Sequence, residues 1–483
     1  MNSKTLKKGC IVALIAYVVI AVLFYLIGGQ QLRYRVIQKE MLNPSAVIGE
    51  ITSDQVIEQP LSMEGDLLTE LSLMAGTYQR TNTGVLRLEV LSTEGEVLAT
   101  RDVDVSTLED NAVFTVPFSP GVSIPGNRFV LRISAPEASA GNAIALYTGN
   151  TISASRYEVA APIGEQDKMK LNGVAQEYML CVDMTSCEVL AFGQYYWQIV
   201  SVVFVVLALV CVILYRKNER GQSSQILNIF IAMDRYHYLI KQLVGRDFKT
   251  KYKRSVLGIF WSFLNPLLTM LVQYIVFSTL FKSDIPNFAL YLLIGIVCFN
   301  FFGEATNMSL MSIVGNTSLI TKVYVPKYIY PLTRVMSSTI NFLLALIPLF
   351  FVMLATGEPI RASILLLPLG IICLFCIALG IGMFLSSAMV FFRDTQFLWN
   401  VVSMLWMYAT PIFYPESIIP AQFMTLYKMN PLYHVIRFIR IILIDGVSPE
   451  PKAYGLMILV SFIPLILGAV VFKKTQDKFV LNL

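Results

Sequence analysis

From Val256 to Phe281 the chain carries no charged residue. About 25 residues of this kind cross a hydrocarbon core of about 30 Å with some tilt, because every backbone polar group of a spanning helix is satisfied within the helix. Immediately before this run lie Arg246, Asp247, Lys249, Lys251, Lys253 and Arg254. Phe248 and Tyr252 stand at i and i+4 among them, the pattern of a basic helix resting on an anionic leaflet. A basic surface helix leading directly into a membrane span leaves few folds open.

The whole chain has the same character: 55% of its residues are hydrophobic and only 14% are charged, where a soluble domain has roughly a quarter charged. Apolar runs near 10–27 and 197–215 bracket a polar block at 28–194. Six further spans are expected near 257–281, 288–310, 331–356, 363–392, 396–414 and 453–472, for eight in all. Lys4, Lys7 and Lys8 precede the first run, but Gly28-Gly29-Gln30-Gln31 lacks the small-residue pattern of a cleavage site, so an uncleaved anchor is expected. Ten basic residues between Arg216 and Arg254 face only Glu219, Asp234 and Asp247, which makes that loop cytoplasmic. Counting back one span places 28–194 outside and the N-terminus inside. The block's 21 acidic and 11 basic residues suit that side. Basic residues Lys473, Lys474 and Lys478 put the C-terminal end inside as well.

Inside the polar block the period changes to two, most clearly at 85–90 and 96–103, with Ser92-Thr93-Glu94-Gly95 as a hairpin turn. Short strands are expected at 111–116, 128–134, 143–147 and 177–182. Frequent turns between short strands indicate an external antiparallel sandwich of jelly-roll type. Tyr78, Arg80, Asn82, Asn127 and Arg128 are turn-adjacent groups of the kind that meet sugar hydroxyls, or solvated loop residues. Cys181 and Cys187 either form a disulfide or remain two thiols. Residues 121–128 resemble a phosphate loop only superficially, since Asn127-Arg128 replaces the Lys and Ser or Thr that such a loop needs.

The segment 411–452 carries Pro411, Pro415, Pro420 and Pro431 within an apolar setting, and a pair of re-entrant helices on the outer side would bury its backbone. Arg437 and Arg440 near that face hold anionic lipid or phosphate, or snorkel as helix-end arginines. His237 and His434 fall on opposite sides of the membrane and make no joint metal site. Glu304 is the main intramembrane ionisable residue, too little for a proton-driven transporter. Phe260, Trp261, Phe299, Phe301 and Phe302 either line a channel on which sugar faces stack or pack against neighbours. No phosphate loop is present to support ATP hydrolysis.

An ordered set of motifs carries a resemblance. Tyr252, Ser255, Leu257, Gly258, Trp261, Asn265 and Pro266 are followed by Leu319-Ile320-Thr321-Lys322-Val323-Tyr324-Val325-Pro326-Lys327. Then come Phe392-Arg393-Asp394, Pro411-Ile412-Phe413-Tyr414-Pro415 and Asn430-Pro431-Leu432. From Tyr236 onward the chain resembles the permeases of ABC exporters, in the class that moves polysaccharides, O-antigens and teichoic acids. The resemblance implies a homodimeric permease with a separate ATP-binding subunit that holds ATP and Mg²⁺, and a lipid-linked glycan as substrate. The expected docking element is 316–330, a short helix ending at Pro326, with Lys322, Tyr324, Pro326, Lys327 and Tyr328 as its face and Arg393 and Asp394 beside it. The expected domains are 1–29, an external sandwich at 30–195, a span at 196–216, a cytoplasmic linker and interface helix at 217–255, and a permease core at 256–483. Two other functions remain: a permease of this fold for a drug, peptide or simple lipid, and a receptor or scaffold with an external sensing domain.

Overall fold

The computed structural model describes residues 3–482 except 40–41, 150, 155–156, 161–166, 221–224, 253–257, 259, 280–286 and 323–324. The chain forms two compact units, a helical one made of 1–29 and 197–483 and a β-rich one made of 30–196.

The principal helices are α1 (Ser3–Gly28), α2 (Tyr196–Glu219), α3 (Gln225–Tyr252), α4 (Phe260–Thr279), α5 (Phe288–Leu310) and α6 (Ile329–Ala355), followed by α7 (Leu367–Phe391), α8 (Thr395–Tyr408), α9 (Ala421–Met429), α10 (Pro431–Arg440) and α11 (Pro451–Thr475). Seven stretches, formed by α1, α2, α4, α5, α6, α7 and α11, are long and apolar enough to cross a membrane among the described residues. The eighth expected span, 396–414, is not among these seven: α8 has 14 residues and ends at Tyr408. At 1.5 Å per residue it reaches about 21 Å, short of the hydrocarbon thickness. The apolar residues after it enter a turn instead, and α9 and α10, with 9 and 10 residues, follow as a pair of short helices.

The helical core centres on α5, whose Leu290, Leu292, Leu293, Ile294 and Phe302 are fully enclosed. A helix that is apolar all round must be packed all round. Helices α7 and α11 lie backbone to backbone. A Cβ on Gly468 would collide with the carbonyl of Gly380, and one on Gly380 with the carbonyl of Pro464; glycine is what permits that approach. The first two helices are mostly exposed along their length, as lipid-facing segments are. They are pinned by the Tyr17 hydroxyl, which donates to the Val200 carbonyl at 3.0 Å. Phe24 of α1 meets Tyr454 of α11 edge-on at 4.9 Å.

The β-rich unit runs β1 (Tyr34–Lys39), β2 (Ala46–Val47), β3 (Val56–Ser62), β4 (Leu67–Gly76), β5 (Val85–Ser92), β6 (Val97–Asp104), β7 (Ala112–Ser123), β8 (Arg128–Ser134), β9 (Ala145–Gly149), β10 (Thr151–Ala154), β11 (Tyr157–Ala160), β12 (Lys170–Leu171), β13 (Val174–Ala175), β14 (Met179–Leu180) and β15 (Val182–Val189). One large sheet has the order β1-β15-β4-β9-β14, with β7 on β4 and β2 on β9; a second has the order β13-β12-β3-β8-β5-β6, and β10 and β11 pair separately. All pairs are antiparallel. Alternate residues point inward, for example Leu86, Leu88 and Val90 of β5, and join Leu68, Leu71 and Leu73 of β4 in one core between the sheets. The hairpin of β5 and β6 turns at Gly95, with φ +89°, where a side chain would be strained. Ser92 Oγ accepts from the amides of Glu94 and Glu96.

Fully buried Gln59 of β3 ties the two sheets. Its amide donates to the Asp167 carbonyl at 2.8 Å and accepts from the Leu180 amide of β14 at 3.0 Å. Cys181 and Cys187 are both buried free thiols. Cys181 immediately precedes extended β15 and Cys187 lies toward its end, about 20 Å apart along the chain, whereas a disulfide needs Cα atoms within about 7 Å. The disulfide alternative is therefore excluded.

Candidate translocation site

The basic arm α3 has an apolar stripe, Ile240, Leu243 and Val244, packed against Val325 and Ile329 at the start of α6. The spacing of i, i+3 and i+4 puts these residues on one helical face, and that contact fixes where the charged residues of the last turns go. The Asp247 side chain is 5% exposed and is held from two sides, by Arg334 of α6 at 2.9 Å and by Arg246 at 3.2 Å. Arg246 also donates to Asn316. One turn on, Lys251 meets Glu304 of α5 at 2.8 Å. The other oxygen of Glu304 accepts from Asn341 of α6 at 2.6 Å. Asn341 in turn accepts from the Tyr252 hydroxyl at 3.0 Å, and that hydroxyl also bonds Ser262 of α4. A single polar chain thus links the arm to three span-forming helices.

Two cavities open on this chain. One of about 260 Å³ is lined by Tyr252, Trp261, Asn265, Asn300, Phe301 and Asn341, among others. A second of about 640 Å³ is lined by Arg246, Asp247, Asn316, Arg334 and Ser337, and Lys251, Glu304 and Asn341 belong to both. Polar groups at membrane depth are costly unless they face water or a polar ligand, so the cleft of amides, a carboxylate and cations beside Trp261 and Phe301 is the candidate functional site.

The residues singled out in the sequence distribute unevenly over this geometry. Trp261 and Phe301 reach the smaller cavity. Phe299 and Phe302 stay inside the core, with Phe302 edge-on to both Trp399 and Trp406 of α8. Phe260 is exposed on α4 and stacks on Phe263. Lys253, Arg254 and Tyr324 lie outside the described residues. In the expected docking element the helix is Thr317–Ile320 and stops well before Pro326. Lys322 is exposed, Pro326 is half-buried, and Tyr328 packs against the α3 contact. Lys327 is turned inward, donating to the Gln476 carbonyl at 2.6 Å beside the Phe479 ring. Arg393 and Asp394 form the exposed turn between α7 and α8. Neither sequence reading of Arg440 holds: it is 8% exposed and donates to the carbonyls of Pro411, Ile412 and Tyr291. Arg437, on the exposed side, lies 3.5 Å from Glu416.

In the β-rich unit Asn82 is buried and donates to the Thr77 carbonyl. Asn127 sits in the turn before β8 with φ +56°, and Arg128 begins that strand. Tyr78 and Arg80 are exposed and lie together, the guanidinium 5.0 Å from the ring centroid. The pairings of Asn316, Arg334 and Asn341 with the basic arm are absent from the sequence reading. Each residue stands 65 or more positions from its partner in α3, and no local pattern announces such a pairing.

A polytopic helical protein with an inserted antiparallel β domain and a polar intramembrane cleft is of the permease class. Residues 238–444, within the helical unit, match the family described as ABC-2 type transporter. Over 242 residues, 50% of this chain and 93% of the relative, it is 29% identical to the O-antigen export system permease protein RfbA of Klebsiella pneumoniae. It is 28% identical to the RfbA permease of Myxococcus xanthus over 247 residues, 50% of this chain and 95% of that one. It is also 22% identical to the polysialic acid transport protein KpsM of Escherichia coli over 241 residues, 49% of this chain and 93% of that one.

Proposed function

We propose that this chain is the permease subunit of an ATP-driven exporter that carries a lipid-linked polysaccharide across the cytoplasmic membrane. It works as two copies with two ATP-binding subunits. The observation that carries the reading is the polar cleft on α3, α4, α5 and α6, inside the segment that matches the transporter family. Its chemistry suits a glycan joined to a lipid phosphate. The Trp261 ring offers a face for a sugar ring, Asn265, Asn300 and Asn341 offer donors and acceptors for hydroxyls, and Arg246, Lys251 and Arg334 are cations in reach of a phosphate. The names of the relatives support the same substrate class.

Energy comes from the partner, which binds ATP and Mg²⁺, and enters through the exposed 316–322 turn and the Arg393-Asp394 turn. Asp247 fixes α3 to α6, so a push on the 316–322 turn is transmitted through Asn316 and Arg246 to the arm. The weaker, half-exposed Lys251–Glu304 pair is the part able to open. Counting α8 with the turn that follows it as one further crossing, the N- and C-termini are cytoplasmic and 30–195 is external, a reading the charge asymmetry supports. The test is reconstitution with the ATP-binding subunit in vesicles: ATP should drive lipid-linked glycan from the nucleotide side to the other. Transport without the ATP-binding subunit would reject the proposal.

A further inference from the structure

At one end of the first sheet, where Gly76 of β4 pairs with Ala145 of β9, a cavity of about 340 Å³ is lined by Tyr78, Gln79, Asp110, Asn111 and Tyr147. Three of these five residues have left-handed backbones: Tyr78 at φ +58°, Gln79 at +56° and Asn111 at +58°. For a non-glycine residue that conformation costs about 1 kcal/mol or more. Asparagine adopts it readily, but a tyrosine and a glutamine in succession do not. A turn serving only the fold would place glycine there. Tyr78 and Gln79 thus hold at this turn a conformation whose cost glycine would avoid.

The site is rigid. Asp110 accepts from the Thr77 amide at 2.6 Å and the Thr77 hydroxyl at 3.1 Å, which fixes the start of the strained turn. The Tyr147 hydroxyl donates to Asn111 Oδ1. Arg80 lies over the Tyr78 ring and is itself held by Glu50 and by the Gly141 carbonyl. Arg80 is neutralised by Glu50, and Asp110 is turned to protein donors. What the cavity offers a ligand is thus an aromatic face, phenolic hydroxyls, amides and the Asp110 carboxylate, with no cation among its lining residues. Those are the requirements of a pyranose ring.

We propose that this cavity is a binding site for a neutral segment of the exported glycan, a reading that rests on the exporter function above. Held next to the membrane, even weak affinity acts at high effective concentration on a polymer leaving the same molecule.

The test uses the full chain in lipid nanodiscs, with fluorescent oligosaccharides cut from the delipidated surface polysaccharide of the producing strain as probe. Binding should be saturable. Tyr78→Gly should weaken it at least tenfold while leaving the unfolding temperature equal or higher, because glycine relieves the strain. Tyr78→Asn, which also tolerates this backbone, should weaken it equally, and Thr93→Ala in the turn between β5 and β6 should not. Failure of the wild-type protein to bind, or wild-type binding by both Tyr78 variants, overturns the site. Deleting the gene reads the exporter function separately. Loss of surface polysaccharide on deletion together with wild-type binding by the Tyr78 variants rejects this site alone, whereas unchanged surface polysaccharide rejects both.

Discussion

The guanidinium of Arg440 lies 3.3 Å from the centroid of the Tyr291 ring while donating to the carbonyls of Pro411 and Ile412. This cation holds the turn after α8 to the start of α5, and a Cβ on the neighbouring Gly295 would press on its guanidinium. Arg440→Met should leave the Ile412 carbonyl without its donor and the Pro411 carbonyl with only the long bond from the Tyr291 hydroxyl, at about 1–3 kcal/mol each. The thermal unfolding of the detergent-solubilised protein should drop by several degrees. Combined with Tyr291→Leu the losses should not add, because both variants empty the same contact. Additive losses would show that ring and cation act apart.

Asp247 and Lys251 sit one turn apart on α3 but differ in what they do. Asp247→Ala removes the partner of partly buried Arg334, while Arg246 still reaches solvent, and should destabilise by about 1–3 kcal/mol. The half-exposed Lys251–Glu304 pair should contribute at most about 1 kcal/mol to stability. Lys251→Gln should therefore keep the unfolding temperature within a few degrees yet slow export, and Glu304→Gln should match it. Unfolding curves alongside a transport assay separate the two residues; wild-type export by both pair variants would remove the pair from the mechanism.

In the coupling region the structure separates two lysines that the sequence groups together. Lys322→Glu on the exposed turn should reduce stimulation of the partner's ATPase by transport substrate without disturbing the fold. Lys327→Glu breaks the contact to the Gln476 carbonyl and should lower stability as well. Coupled ATPase rates and melting curves on the two single variants check this, and equal melting losses would contradict it.

How much of this was legible follows from the range of each signal. The spans announce themselves because some 20 apolar residues have few other uses. Residues 409–414 misled because their apolar run continues that of α8, while the turn that contains them depends on Arg440, about 30 positions away. The hairpin of β5 and β6 alternates cleanly and turns at glycine. The strand β3 was missed because Pro60 interrupts it, and β15 because its sequence VDMTSCEV is too polar to read as buried. The basic arm was visible as charge. That Asp247 is its anchor was not, because Arg334 lies on another helix.

The β-rich unit has its own core between two sheets, so the segment 30–196 should fold alone, and its acid response has a defined sign. Burial acts to raise the pKa of Asp110, but hydrogen bonds from Thr77, Gln79 and Tyr78 outweigh it and hold the carboxyl below its usual range. A lowered folded pKa gives stability that is present above about pH 4 and lost as pH falls through the folded value. Denaturant midpoints of the segment should fall on acidification below about pH 4, and Asp110→Asn should flatten that fall. An unchanged slope in the variant would mean that other carboxylates set it.

The central claim is export of a lipid-linked polysaccharide, and depletion of this chain in the cells that make it tests that claim most directly. Surface polysaccharide and lipid-linked polymer on the cytoplasmic side are quantified together as the protein is lost. The account predicts that surface polymer declines while lipid-linked polymer accumulates inside. Unchanged surface polymer, with no internal accumulation, would contradict it.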